Sequence, residues 1–243
     1  MLEVFDASTL DLLAYSPPGW GATLLRGLWN SVLIATGAYA LGLLIGTAGA
    51  YGKLYGSPLV KDLLSVYTTV VRAVPELVLI LILYFAVTDA VNQIILALGG
   101  NRIEISGVVA GIAVLGVVQG AYATEVLRGA ILAVPTGQIE AARAMGMPAG
   151  LLARRITFPL MLSFAIPGLA NLWLVATKDT ALLAVVGFAE LTQATRQAAS
   201  TTKAFFTFYA AAGVLYLVLS IASTMMFARI EKWARRGQRR TEG

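Results

Sequence analysis

No cysteine and no histidine occur in the 243 residues. Their absence excludes disulfides, thiol nucleophiles, imidazole bases and the commonest transition-metal ligands together, and it leaves the redox compartment unmarked. Charge is scarce as well: Asp, Glu, Lys and Arg make up 13% of the chain, against about 25% in an average soluble domain. No Ser-rich or Pro-rich stretch marks a linker, and no period of about 20 to 50 residues marks a repeat architecture. The N-terminus lacks the basic region of a secretory signal and carries Glu3, Asp6 and Asp11 instead, so it is expected to stay in the mature chain.

What is there is apolar. Hydrophobic residues make up 58% of the chain and the mean hydropathy is +0.78, a composition that belongs to membrane proteins. Five apolar segments stand out, at 24–51, 59–88, 105–127, 158–177 and 205–227. Each is long enough to cross a bilayer, which takes about 20 residues of helix. The expectation is an all-α membrane protein, one transmembrane domain over 1–243, with no room for a separate soluble domain.

Basic residues stay on the cytoplasmic side of a membrane, so their positions predict orientation. Lys53, Lys61, Arg128, Arg143, Arg154, Arg155 and the tail residues Arg229, Lys232, Arg235, Arg236, Arg239 and Arg240 fall on one side, and only Arg26, Arg102, Arg196 and Lys203 on the other. This distribution puts the N-terminus outside and the C-terminus inside. It also accounts for the net charge of +5 as an inside anchor, so no nucleic-acid partner is expected. Small residues recur four apart at Gly42, Gly46 and Ala50, at Gly107 and Gly111, and at Gly116 and Gly120, a spacing that lets helix backbones approach closely.

The run GAYGKLYG at 49–56 contains Gly-Lys but fails as a phosphate-binding loop, because position 47 is Thr and position 54 is Leu. No nucleotide site is expected on this chain. If ATP powers the protein, the ATPase is a partner.

Ionisable groups inside a membrane usually face a pathway or one another. Arg72 and Glu76 are four apart, on one helical face if the helix is continuous, while Pro75 between them is expected to kink it. They are read either as a structural ion pair or as substrate contacts. Lys178, Asp179 and Thr180 precede an apolar run, 181–188, that is too short to span and suggests a broken or re-entrant segment. Together with Asn171 they offer both signs of charge, a hydroxyl and an amide, which suits an amino acid's ammonium and carboxylate. Pairing of Lys178 with Asp179, or with another subunit, is the alternative.

The most polar stretch in the middle of the chain is QIEAARAMGMPAGLLARRITFP, 138–159. Strong helix formers follow Pro135 and Gly137, an acid sits in the first turn, and Gly146 and Pro148 stop the run. The result is a helix over about 138–146, too short to stand alone in water. It either docks on something, lies on the lipid surface or is a solvated loop.

These residues carry a resemblance. Glu140-Ala141-Ala142, Gly146, Ile156 and Phe158-Pro159 resemble the signature of ABC importer permeases, with Phe158 where the family usually has Leu. The runs 67–85, 119–142 and 176–191 are similar to polar amino-acid permeases, most closely the Q subunits of histidine and lysine/arginine/ornithine importers, with opine permeases as near relatives. The resemblance implies a bacterial inner-membrane permease in which the short helix couples to a cytoplasmic ATPase through Gln138, Glu140, Ala141, Ala142, Arg143 and Gly146. It further implies a second permease subunit forming a heterodimer, two copies of the ATPase and a periplasmic amino-acid-binding protein. ATP and magnesium would sit in the ATPase, and this chain would bind no cofactor or metal and catalyse nothing. Two other classes remain in view. An ion-coupled transporter or channel predicts an inverted repeat, which the sequence does not display, and an intramembrane enzyme predicts a nucleophile or base motif.

Overall fold

The computed structural model describes residues 11–102 and 106–235. The acidic residues Glu3 and Asp6, the start of the third expected span at Ile105 and the tail residues Arg236, Arg239 and Arg240 lie outside the described residues. Within them the chain is helical, without strands, and five helical segments are long and apolar enough to cross a membrane.

The first is α1, Gly21–Tyr55, whose 35 residues extend about 52 Å, well beyond a hydrocarbon core of about 30 Å. Gly56 ends it, and Ser57 caps the next helix by accepting a hydrogen bond from the Val60 amide. That helix, α2, covers Pro58–Ala73, and α3 covers Glu76–Ala97. The segment 59–88, expected as one span, is therefore two helices. Val74 and Pro75 are extended between them. Pro75 has no N–H to continue the ladder, and a residue before proline is pushed out of the helical region. Of the two, α3 is the helix apolar enough to span. It runs past the polar residues at 88–92, where the Asn92 side-chain amide donates to the Thr88 carbonyl at 3.0 Å. Gly99, at φ 81, then stops it.

The central element is α4, Gly107–Leu132. It packs along α1 through the small-residue stripes. A Cβ at Gly42 would stand 2.8 Å from the Gln119 Cβ, one at Gly49 2.9 Å from the Thr124 methyl, and one at Gly116 2.6 Å from Leu41. The close approach that the spacing permits is thus made inside this chain, with Ile34, Val114, Leu115 and Leu183 closing the core beside it.

After Pro135 comes the short α5, Thr136–Ala144. The chain re-enters through Ala149–Leu152, a π-helical turn Ala153–Thr157 and α6, Phe158–Asp179. At Thr180 the helix tightens into a 3-10 segment, Thr180–Val186, which Gly187 ends at φ 85. The fourth crossing is this whole run, longer than the expected 158–177, and 181–186 continues it instead of turning back. Then α7, Leu191–Thr202, leads to the last span, α8, Phe205–Ala234. Tyr39, Trp173 and Ser223 tie α1, α6 and α8 together: the Tyr39 hydroxyl donates to the Leu169 carbonyl at 3.1 Å, and the Trp173 indole N–H donates to the Ser223 hydroxyl at 2.9 Å.

Candidate functional site

Three helices bring polar side chains to one place inside the apolar bundle. Asp179 stands at the last residue of α6, where the tightening of the helix turns its side chain inward, and it is buried. Its Oδ2 accepts a hydrogen bond at 3.3 Å from Nε2 of Gln119, in the middle of α4. Glu76 stands at the first residue of α3, placed there by the Pro75 break, and its Oε1 accepts from the Tyr122 hydroxyl at 3.4 Å. The Glu76 and Asp179 carboxyls are close enough to interact electrostatically. The Oε1 of Gln119, fully enclosed, has no hydrogen-bond partner among the described residues.

The arrangement has a definite chemistry. Two carboxyl groups and an amide oxygen, all acceptors, converge where charge is poorly solvated, and no basic side chain lies within ion-pair distance of either carboxyl among the described residues. Two neighbouring carboxylates repel in such a place unless a proton or a cation lies between them. An ammonium or guanidinium group, which offers only donors, complements this set.

Of the residues expected to line a substrate pathway, Asp179 and Thr180 are buried and Glu76 is half-buried, although the Thr180 hydroxyl donates to the Thr177 carbonyl at 2.8 Å. Arg72, Asn171 and Lys178 are exposed. The helical pairing of Arg72 with Glu76 does not form: no ion pair joins them among the described residues, because the break at Val74 and Pro75 puts them on different helices. Lys178 and Asp179 do not pair either, since successive helical positions point about 100° apart. Gln119 and Tyr122 were not singled out in the sequence. Their three-residue spacing in an otherwise apolar helix was the available signal.

Two further polar groups escaped the sequence reading. Lys53 of α1 pairs with Glu125 of α4 at 2.5 Å and donates to the Thr68 hydroxyl of α2 at 2.8 Å, while Arg128 closes the other Glu125 oxygen at 2.9 Å. Glu190 is wholly buried and caps α7, its carboxylate accepting from the amides of Thr192 and Gln193 at 2.8 and 2.7 Å and from the hydroxyls of Ser31 and Tyr216.

The short helix α5 is mostly exposed. Ala142 is its one buried residue, while Gln138, Glu140, Ala141 and Arg143 are exposed, as is Gly146 beyond its end. The helix starts and stops two residues earlier than expected. Pro135 is its N-cap, so Thr136 and Gly137 form the first turn, and Gly146, at φ 73, is the terminator. The Met147 amide reaches the Ala142 carbonyl at 3.1 Å and the Gly146 amide the Arg143 carbonyl at 2.9 Å, a glycine-dependent stop.

A family model described as binding-protein-dependent transport system inner membrane component matches residues 38–236. The chain belongs to this family. Among curated relatives of this inner membrane component, the nopaline transport system permease protein NocQ of Agrobacterium fabrum is 43% identical over 232 residues, covering 95% of this chain and 98% of the relative. The histidine/lysine/arginine/ornithine transport system permease protein HisQ of Escherichia coli is 39% identical, covering 88% and 94%. The octopine transport system permease protein OccQ of Rhizobium radiobacter is 36% identical, covering 95% and 98%. Among solved structures, that of an amino acid ABC transporter with histidines is 28% identical with a TM-score of 0.77, covering 94% of this chain and 99% of that one. The inward-facing MetNI methionine ABC transporter, 21% identical at a TM-score of 0.70, shares the fold. The resemblance read from the Glu140 signature thus holds, and the protein is a membrane permease of the inner membrane.

Proposed function

We propose that this permease forms part of an ATP-driven importer for cationic amino acids or opines, and that Glu76, Gln119 and Asp179 receive the substrate's cationic nitrogen on its way through the membrane. The observation that carries this reading is the cluster of acceptors with no basic side chain within ion-pair distance among the described residues. Such a group is costly to keep inside a membrane unless a cation visits it. The names of the relatives agree, since lysine, arginine and ornithine are cations at neutral pH. The exposed Asn171 and Lys178 lie seven apart, two helical turns along one face of α6, where they are available to the substrate's carboxylate or to a second permease subunit. Thr180 supports the turn that aims Asp179, and Arg72 stands at the rim.

In this reading the N-terminus is periplasmic and α5 cytoplasmic, as the distribution of basic residues supports. Gln138, Glu140, Ala141, Ala142 and Arg143, with Gly146 as the stop, dock in a partner ATPase that holds ATP and magnesium. This chain supplies two conformations, and nucleotide binding in the partner shifts the balance between them. A periplasmic binding protein delivers substrate, and a second, non-identical permease completes the path. The chain itself catalyses no reaction and binds no cofactor.

The test is substrate-stimulated ATPase activity of the reconstituted complex with its binding protein, comparing arginine with its uncharged isostere citrulline. Stimulation by arginine that disappears in Asp179→Asn supports the reading. Equal stimulation by citrulline, or an Asp179→Asn complex indistinguishable from wild type, refutes it.

A further inference from the structure

A cleft of about 350 Å³ opens on the side of the bundle where α5 joins it. One wall is the last turn of α1, with Tyr51 and Tyr55 four residues apart and their rings 5.8 Å between centroids. The other is the π-helical turn and the start of α6, with Arg154, Thr157, Phe158 and Met161. No lining residue is acidic. Arg154 and its neighbour Arg155 are exposed and form no ion pair among the described residues.

Three features fix what such a cleft accepts. First, its depth is that of the membrane surface: it lies at the end of α1 and the beginning of the fourth crossing, where Tyr rings are favoured at the boundary between hydrocarbon and headgroups. Second, its lining is mixed, with Phe158 and Met161 beside a guanidinium and three hydroxyls. Third, its charge is positive and has no ion-pair partner among the described residues, unlike that of Arg128, which pairs with Glu125. A π-helical turn, rare in proteins and frequent at functional sites, widens the backbone where the arginines emerge.

We infer that this cleft holds the headgroup of an anionic phospholipid, its phosphate between Arg154 and the Tyr55 hydroxyl and the root of its acyl chains along Phe158 and Met161. The lipid bridges α1 to the segment by which α5 returns to the membrane. Guanidinium groups bind phosphate through paired hydrogen bonds, and each basic residue near a membrane surface favours anionic lipid about fivefold.

The complex, reconstituted in nanodiscs of phosphatidylcholine and phosphatidylglycerol, is transferred to mild detergent and its retained lipid counted by mass spectrometry. Phosphatidylglycerol is expected to be enriched over its bulk fraction with the wild type. The enrichment falls about fivefold in Arg154→Gln, falls in part in Tyr55→Phe, and is unchanged in Arg196→Gln at the opposite end. Thermal unfolding confirms that each variant is folded. Equal retention by Arg154→Gln and wild type overturns the inference. So does displacement of the lipid by millimolar inorganic phosphate, which would mark a free-anion site, or retention of phosphatidylcholine to the same extent, which would mark a merely greasy groove.

Discussion

Gln119 and Asp179 meet across α4 and α6, amide nitrogen to carboxylate oxygen at 3.3 Å, both buried, and the amide's own oxygen is left without a partner among the described residues. Replacing Asp179 by Asn keeps the shape and removes the charge. The expected outcome is an assembled complex whose apparent affinity for a cationic substrate falls about 10- to 100-fold, the loss of a hydrogen bond to a charged group. Concentration-dependent uptake into proteoliposomes measures it.

The α1–α4 contact makes a second prediction. Gly46 and Gly49 sit against Ala123 and Thr124, with no room for a side chain, whereas Gly213 on α8 has nothing within 4 Å of a built Cβ. Gly46→Leu is expected to destabilise the subunit by about 1–3 kcal/mol or more through overpacking. Gly213→Ala is expected to be neutral or mildly stabilising, by up to about 1 kcal/mol. Thermal unfolding of the purified complex separates the two.

A third prediction concerns Glu190. Its carboxylate closes two amides at the start of α7 and reaches Ser31 on α1 and Tyr216 on α8. Glu190→Ala leaves buried donors unmatched and is expected to cost about 1–3 kcal/mol, read as a lowered unfolding temperature. Glu190→Gln keeps an acceptor oxygen and is expected to lose less.

How much of this was visible in the sequence depends on what the membrane constrains. Inside lipid every backbone polar group must be satisfied within the chain, so the apolar runs predicted spans and the break at Pro135 and Gly146 predicted a short helix outside them. Side-chain partnership was less visible. Arg72 and Glu76 looked paired because four-residue spacing implies one face, but that holds only on a continuous helix, and Pro75 separates two. Lys178 and Asp179 looked like one polar patch, whereas adjacent positions on a helix face different neighbours. Gln119, Lys53 with Glu125, and Glu190 were hidden for the opposite reason. Their partners come from helices far along the chain, and no spacing rule connects them.

We propose that α5 transmits work from a partner ATPase to the spans of this permease. Coupled uptake and ATP hydrolysis, measured together in proteoliposomes for wild type, Glu140→Trp and Gly146→Leu, test it most directly. The exposed face of α5 and its glycine stop predict that wild-type uptake requires ATP and the ATPase, and that both variants lose uptake per ATP hydrolysed while the permease stays folded. Uptake that continues without the ATPase, driven by an ion gradient, or an unaltered ratio in both variants, would contradict the account.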